Sequence, residues 1–162
     1  MLSGESANGD WPVESVQTMA RIATETEEQL KYETAVSKAK SHTPAISGVI
    51  SRAACNAANE LKAAAIVSST KSGATARRIS QCRPECPIVA VTPSEKVAKS
   101  LAFCFGVYPV VAEDQNSTDA MMANATKIAV ENGFANSGDT VVIAAGLDQV
   151  GSTNLLKVSV VE

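Results

Sequence analysis

Within eight residues, Ser68-Ser69-Thr70-Lys71-Ser72-Gly73-Ala74-Thr75, the chain gathers groups suited to holding an anion. The hydroxyls of Ser69, Thr70, Ser72 and Thr75 can each hydrogen-bond a phosphate oxygen, Lys71 supplies a point charge, and Gly73 permits close backbone approach. The β-branched run ahead of the loop reads as a strand and the segment from Ala74 as a helix. The loop therefore lies where unpaired N–H groups and the helix dipole converge on negative charge. The same residue types also cap a helix with no ligand at all, and both readings stand at this level. Two better-known phosphate loops are excluded. Lys71 precedes the single Gly73 instead of following a second glycine, so this is not a Walker loop, and the Gly-x-Gly-x-x-Gly of a dinucleotide fold is missing.

Elsewhere the chemistry-bearing residues have plainer readings. Of Cys55, Cys82, Cys86 and Cys104, only Cys82 and Cys86 are close in sequence, and no second Cys or His pair completes a tetrahedral zinc site. They read as buried or loop thiols of a reducing compartment. His42 has neither a nucleophile nor a carboxylate at a telling distance, which makes it a surface residue. Arg77 and Arg78 read as an exposed helix face, with Arg77 a lesser candidate for phosphate contact, and Glu25, Glu27 and Glu28 as the solvated side of a helix. The formal net charge of −3 over 162 residues, with both signs dispersed, offers no footprint for nucleic acid or an anionic membrane. No apolar run is long enough to span a bilayer and no leader pattern opens the chain, so a cytoplasmic location is the expectation.

The elements that must position the loop follow from periodicity. Pro12 opens a helix on which Val13, Val16, Met19, Ala20, Ala23 and Leu30 recur, running to about Lys31. A polar stretch from Lys31 to Thr43 then marks a domain boundary, placed between residues 33 and 34. Thr43 and Pro44 start a second helix whose stripe of Ile46, Ile50, Ala53, Ala54, Ala57 and Leu61 is small enough for close packing on a sheet. From Ala64 the chain alternates. Strands are expected at Ala64–Ser68, Pro87–Thr92, Val107–Ala112 and Thr140–Ala145, with helices at Ala74–Gln81, Ser94–Ala102 and Thr118–Asn132, the last capped by Ser117 and closed by Gly133. Such alternation implies parallel strands with right-handed crossovers. Gly146 to Thr153 is too short for a helix, so Asn154–Val161 should return as an antiparallel partner. The fold class is α/β, a three-layer α/β/α arrangement on a mixed five-stranded sheet whose last strand is antiparallel.

At the opposite end, Met1-Leu2-Ser3-Gly4-Glu5-Ser6-Ala7 and Asn8-Gly9-Asp10-Trp11-Pro12-Val13-Glu14 form a long, ungapped string. It resembles the segment that leaves the last barrel strand of pyruvate kinase and enters the final barrel helix. The likeness continues through Ala65 to Gly73, through Arg83-Pro84 and Pro87 to Thr92, and through Gly138-Asp139 and Ser152-Thr153-Asn154, which are similar to that family's carboxy-terminal domain. The resemblance implies residues 1–33 as the end of a catalytic barrel and 34–162 as a regulatory and assembly domain. It implies a parent reaction, phosphoenolpyruvate plus ADP to pyruvate plus ATP, that uses magnesium and usually potassium. No cofactor is expected in this chain itself. The acidic and basic residues of that chemistry have no counterpart here; Ser3 and Glu5 belong to the barrel rim, so the chain alone is expected to be inactive.

By the same resemblance, Thr70, Lys71, Ser72, Gly73 and Thr75 hold the phosphate of an allosteric effector. Animal forms responsive to fructose bisphosphate hold a second phosphate with an arginine from the helix at Thr118–Asn132. Here that helix has only Lys127, with Met121 near the expected place. Asp148 in the closing loop would repel a phosphate if it pointed inward, although a solvated turn is the plainer reading. Either a sugar monophosphate or AMP is thus expected in preference to a bisphosphate, or regulation has been lost. The apolar last strand, with Leu155, Val158, Val160 and Val161, is expected to pair with a second copy, as the family's does. The alternative reading is a free-standing small-molecule-binding or enzymatic module that reuses the fold.

Overall fold

The computed structural model describes residues 3–29, 45–115, 117–146 and 153–162. The chain divides into two compact units, Met1–Lys31 and Tyr32–Glu162. The boundary expected between residues 33 and 34 lies outside the described residues, as do His42 and Asp148.

In the first unit a single-turn helix, α1 (Gly4–Ala7), precedes α2 (Pro12–Glu28). Pro12 occupies the first helical turn, where its missing N–H costs nothing, and Glu14 sits favourably at the positive end of the dipole. The helix ends three residues before the expected Lys31. Thr24 and Thr26 turn their hydroxyls back onto the carbonyls of Ala20 and Ile22, at 3.1 and 2.6 Å, and such back-bonding β-branched residues weaken a last turn. No residue of α2 is buried, and the stripe of Val13, Val16, Met19 and Ile22 is exposed together with Trp11.

The second unit opens with α3 (Ile46–Glu60). Its first turn closes on the Ala45 carbonyl, which accepts from Gly48 and Val49 at 2.9 and 3.1 Å. Ala45, not Thr43, is therefore the cap residue, and Thr43 and Pro44 lie outside the described residues. The buried face is also rotated from the expected stripe. Ser47, Ser51, Ala54, Cys55 and Ala58 face inward, while Ile46, Ala53 and Leu61 face out. A buried serine is tolerable here because the Ser51 hydroxyl donates to the Ser47 carbonyl at 2.7 Å.

The remaining elements follow the alternation: β1 (Ala65–Ser69), α4 (Ala74–Gln81), β2 (Ile88–Thr92), α5 (Glu95–Leu101), β3 (Val107–Val111), α6 (Thr118–Glu131), β4 (Thr140–Ala145) and β5 (Leu155–Val160). Ser94 caps α5 by accepting from the Val97 N–H, and Ser117 caps α6 by accepting from Ala120. At the far end of α6, Gly133 takes a left-handed φ of 75° and lets the Phe134 N–H reach back to the Ala129 carbonyl at 2.9 Å.

Strand order is β3-β2-β1-β4-β5, with β4 joined to β5 antiparallel and every other pair parallel. Ile66 pairs with Ile88 and Val142 on one face, and Val67 with Val89 and Ile143 on the other, so the centre of the sheet is apolar on both faces. One face packs Ile66, Ile88, Ala90 and Val142 against α3, α4 and Leu101 of α5; the other packs Val67, Val89, Val141 and Ile143 against α6. Three layers result. Each fully buried isoleucine contributes about 1.5–3 kcal/mol relative to exposure, which makes the central strands the rigid support for the loops at their ends.

Candidate functional site

The loop 70–73 leaves the carboxyl end of β1, next to the crossover where β2 leads to α5 and β4 flanks the other side. Parallel sheets bind ligands at this end of the strands. The Thr70 N–H stays in register with β2 by donating to the Val91 carbonyl at 2.9 Å, and the chain then turns. Thr70 is buried, and its hydroxyl oxygen accepts from the Gly73 N–H at 3.0 Å. Ser72 is exposed, and its hydroxyl accepts from the Ala74 N–H at 3.4 Å. The loop hydroxyls thus tie off the first two amides of the turn, which is the capping role that the residue types also allowed. Each hydroxyl keeps its own hydrogen for donation. The N–H groups of Thr75 and Ala76 take no acceptor among the described residues, and these remain at the positive end of α4.

Gly73 serves the loop differently from the sequence expectation. Its φ is 81°, and a methyl group at its α-carbon would lie 2.9 Å from Arg77 Nη1 and 3.2 Å from both Val97 Cγ1 and Leu101 Cδ2. The missing side chain makes room for α5 and Arg77. Arg77 is half-buried and not part of an exposed face. Its guanidinium donates to the Ser72 carbonyl at 3.0 Å and to Ser100 Oγ at 2.8 Å, pinning the loop to α5.

Thr75 is also placed otherwise than expected. It is buried, and its hydroxyl shares a 2.6 Å hydrogen bond with that of Thr153, itself fully buried at the entry to β5. Lys71 is well exposed and forms an ion pair with Asp114, in the segment after β3, so the cation of the loop already has a carboxylate partner. Sequence reasoning missed Asp114, Ser100 and Thr153. Ser100 comes from α5, Asp114 from the segment after β3 and Thr153 from the entry to β5, and no local spacing signals them.

Beside the loop, Ser69, Thr92, Pro93, Asp114 and Asn124 line a shallow hollow with room for about one water, roughly 10 Å³. Met121 packs against the α6-side core, and Lys127 pairs with Glu131 along α6 at 3.6 Å. Neither offers a free cation to a second anion near the loop. Behind the loop, Ser68 is buried with no hydrogen-bond partner for its hydroxyl oxygen among the described residues, facing the α3–α4 side of the sheet.

No group of three or more His, Cys, Asp or Glu side chains is brought together to hold a metal ion among the described residues. Cys55 and Cys82 are buried, whereas Cys86 and Cys104 are partly exposed. Among the described residues no helix is long and apolar enough to cross a membrane.

Comparison with known proteins gives a consistent result. Residues 48–159 match the family described as "Pyruvate kinase, alpha/beta domain". The whole chain is 47% identical to part of a pyruvate kinase of Clostridium acetobutylicum, covering 35% of that protein. It is 42% identical to one of Bacillus licheniformis over 99% of the chain and 28% of the relative. A solved pyruvate kinase of Cryptosporidium parvum superposes on all of the chain with a TM-score of 0.85 at 30% identity, over 33% of its own length. The chain therefore spans about a third of the length of the relatives it matches.

Proposed function

Because the chain belongs to the pyruvate kinase family, to which it contributes the carboxy-terminal α/β domain, we propose that it is the regulatory and assembly part of such an enzyme. In this reading a phosphorylated metabolite is held at Thr70–Thr75 and a second copy pairs along β5. The complete polypeptide then transfers a phosphoryl group from phosphoenolpyruvate to ADP. Magnesium and potassium belong to that reaction of the complete polypeptide, and this reading assigns no residue of the chain to them.

The observation that supports the effector reading is the start of α4: two amides without an acceptor among the described residues, hydroxyls with hydrogens to donate and the exposed Lys71 lie within one turn at the carboxyl end of a parallel strand. A monophosphate is favoured over a bisphosphate because α6 carries no arginine and Arg77 is held by Ser72 and Ser100. Binding requires Lys71 to exchange Asp114 for phosphate. An exposed pair of this kind is worth about 0–1 kcal/mol, so the exchange is easily reversed. Calorimetric titration with AMP and with a hexose monophosphate tests the reading. A combined Thr70→Ala, Lys71→Ala, Ser72→Ala variant should lose affinity, and Asp114→Asn should gain up to about fivefold. Unchanged affinity in both, with circular dichroism showing the fold intact, would remove the effector from this loop.

The assembly reading rests on β5. Among the described residues it pairs only with β4, and it exposes Val158 and Val160 at the edge of the sheet. Unpaired edge groups beside apolar side chains are a template for a second strand, and a two-fold contact closes such an edge. Light scattering should show a dimer that Val158→Pro dissociates while circular dichroism is retained; a monomer at high micromolar concentration would refute the strand pairing.

A further inference from the structure

A cluster of sulfur atoms lies away from the loop, between α3 and the end of α4. Cys55 projects from the buried face of α3 and Cys82 follows the last residue of α4, both within the same apolar core. Their thiols reach neighbouring carbonyls of one helical turn: Cys55 Sγ lies 3.7 Å from the Ile79 oxygen and Cys82 Sγ 3.6 Å from the Arg78 oxygen. Both sulfurs thus sit in one core cluster, against the carbonyls of two adjacent residues. Cys86 packs against the same cluster and, with Lys62, Glu85 and Pro87, lines an open surface pocket of about 300 Å³. A solvent-lined thiol therefore stands in front of a buried pair.

We propose that Cys55 and Cys82 form a dithiol oxidation site, which a hydroperoxide converts reversibly to a disulfide joining α3 to α4. Cys82 is the attacking sulfur. The Cys55 S–H can turn from the Ile79 carbonyl to donate to it, and Arg52 adds positive charge nearby, both of which favour the Cys82 thiolate, while burial opposes them. The same contact, followed by burial, pushes the Cys55 thiol up and keeps it protonated. With hydrogen peroxide as the hydroperoxide, the thiolate attacks one peroxide oxygen; the S–O bond forms, the O–O bond breaks, and the departing hydroxide takes from solvent the proton that the Cys82 thiol released, becoming water. Cys55 sulfur then attacks the sulfenic sulfur. The S–S bond forms, the S–O bond breaks, and the expelled hydroxide takes the Cys55 proton as the second water. The two sulfurs lose two electrons and the peroxide gains them.

Burial sets the rate. Cys82 is only 3% exposed, so oxidant reaches it through local opening of the turn at residues 83–87, where Arg83 is held at a positive φ of 50°. The ring closed by the bridge, residues 55–82, contains β1 and the candidate loop, so oxidation should stiffen that part of the unit.

The test uses the native protein carrying Cys86→Ser and Cys104→Ser, treated with hydrogen peroxide and mapped by mass spectrometry without reduction. The expected product is a single intramolecular 55–82 cross-link, two mass units lighter than the dithiol, which raises the thermal midpoint and is reversed by dithiothreitol. Cys55→Ser in the same background should stop at a sulfenic acid on Cys82, trapped by dimedone. A cross-link that appears only in denaturant would overturn the proposal, as would dimedone trapping at Cys82 without any cross-link. In the protein with all four cysteines, a bridge between Cys82 and Cys86 in place of the 55–82 bridge would overturn it equally.

Discussion

Replacing Gly73 by alanine separates two costs that the structure loads on one position. The first is conformational: φ is 81°, and an L-residue in the left-handed region loses about 1–2 kcal/mol. The second is steric. The new methyl would sit 2.9 Å from Arg77 Nη1 and 3.2 Å from Val97 Cγ1 and Leu101 Cδ2. The first of these neighbours can swing away, but only by releasing Ser72 O and Ser100 Oγ; Leu101 is fully buried and cannot. Forced repacking of this kind costs about 1–3 kcal/mol more. Gly133 is the internal control, because its φ is 75° and nothing lies within 4 Å of an added methyl. Urea unfolding should therefore show Gly133→Ala losing about 1–2 kcal/mol and Gly73→Ala about 2–5 kcal/mol. Adding Arg77→Ala to the Gly73→Ala variant should recover part of the difference. Equal losses at the two glycines, within about 0.5 kcal/mol, would refute the close-packing argument and leave only backbone strain.

The Thr75–Thr153 bond gives a second test. Removing either hydroxyl as valine strands a buried partner and should cost about 1–3 kcal/mol, whereas the double variant should cost much less than the sum; strict additivity would mean the 2.6 Å bond carries no coupling. Alkaline stability gives a third. Burial, the largest cause, and Glu85 push the Cys86 thiol up to about 11 from 9.0, so the folded state binds the proton more tightly than the unfolded chain. Its contribution is complete below pH 9 and falls away between pH 9 and 11 by about 2–3 kcal/mol, a slope to which Cys55 adds and which Cys82, shifted the other way, opposes. Chemical denaturation across that range should show a shallower decline for Cys86→Ser; a profile superimposable on the original would remove Cys86 from the account.

Local pattern was enough for the elements of the second unit. Ala74–Gln81 and Thr140–Ala145 fall where periodicity puts them, and the other strands and helices of the alternation shift by one residue at their ends. Strands buried on both faces are short β-branched runs, and helix ends carry their own caps, so both signals lie within a few residues of the backbone they shape. The antiparallel return of β5 was legible because chain length alone forbids a helical crossover between Ala145 and Leu155. The rotated face of α3 was not legible, since alanine and serine differ little in size and only the Ser51–Ser47 bond makes the serine side buriable. The loop's residues were visible as a group, but their partners were not. Thr75 meets Thr153 across 78 residues, Arg77 meets Ser100, Lys71 meets Asp114, and Cys55 shares a core cluster with Cys82. Donors, acceptors and thiols are fixed by composition. Which of them are free for a ligand is decided by the strand order that brings β2, β3 and β5 crossovers to the end of β1, because hydrogen bonds depend on distance in space and the sequence records only distance along the chain.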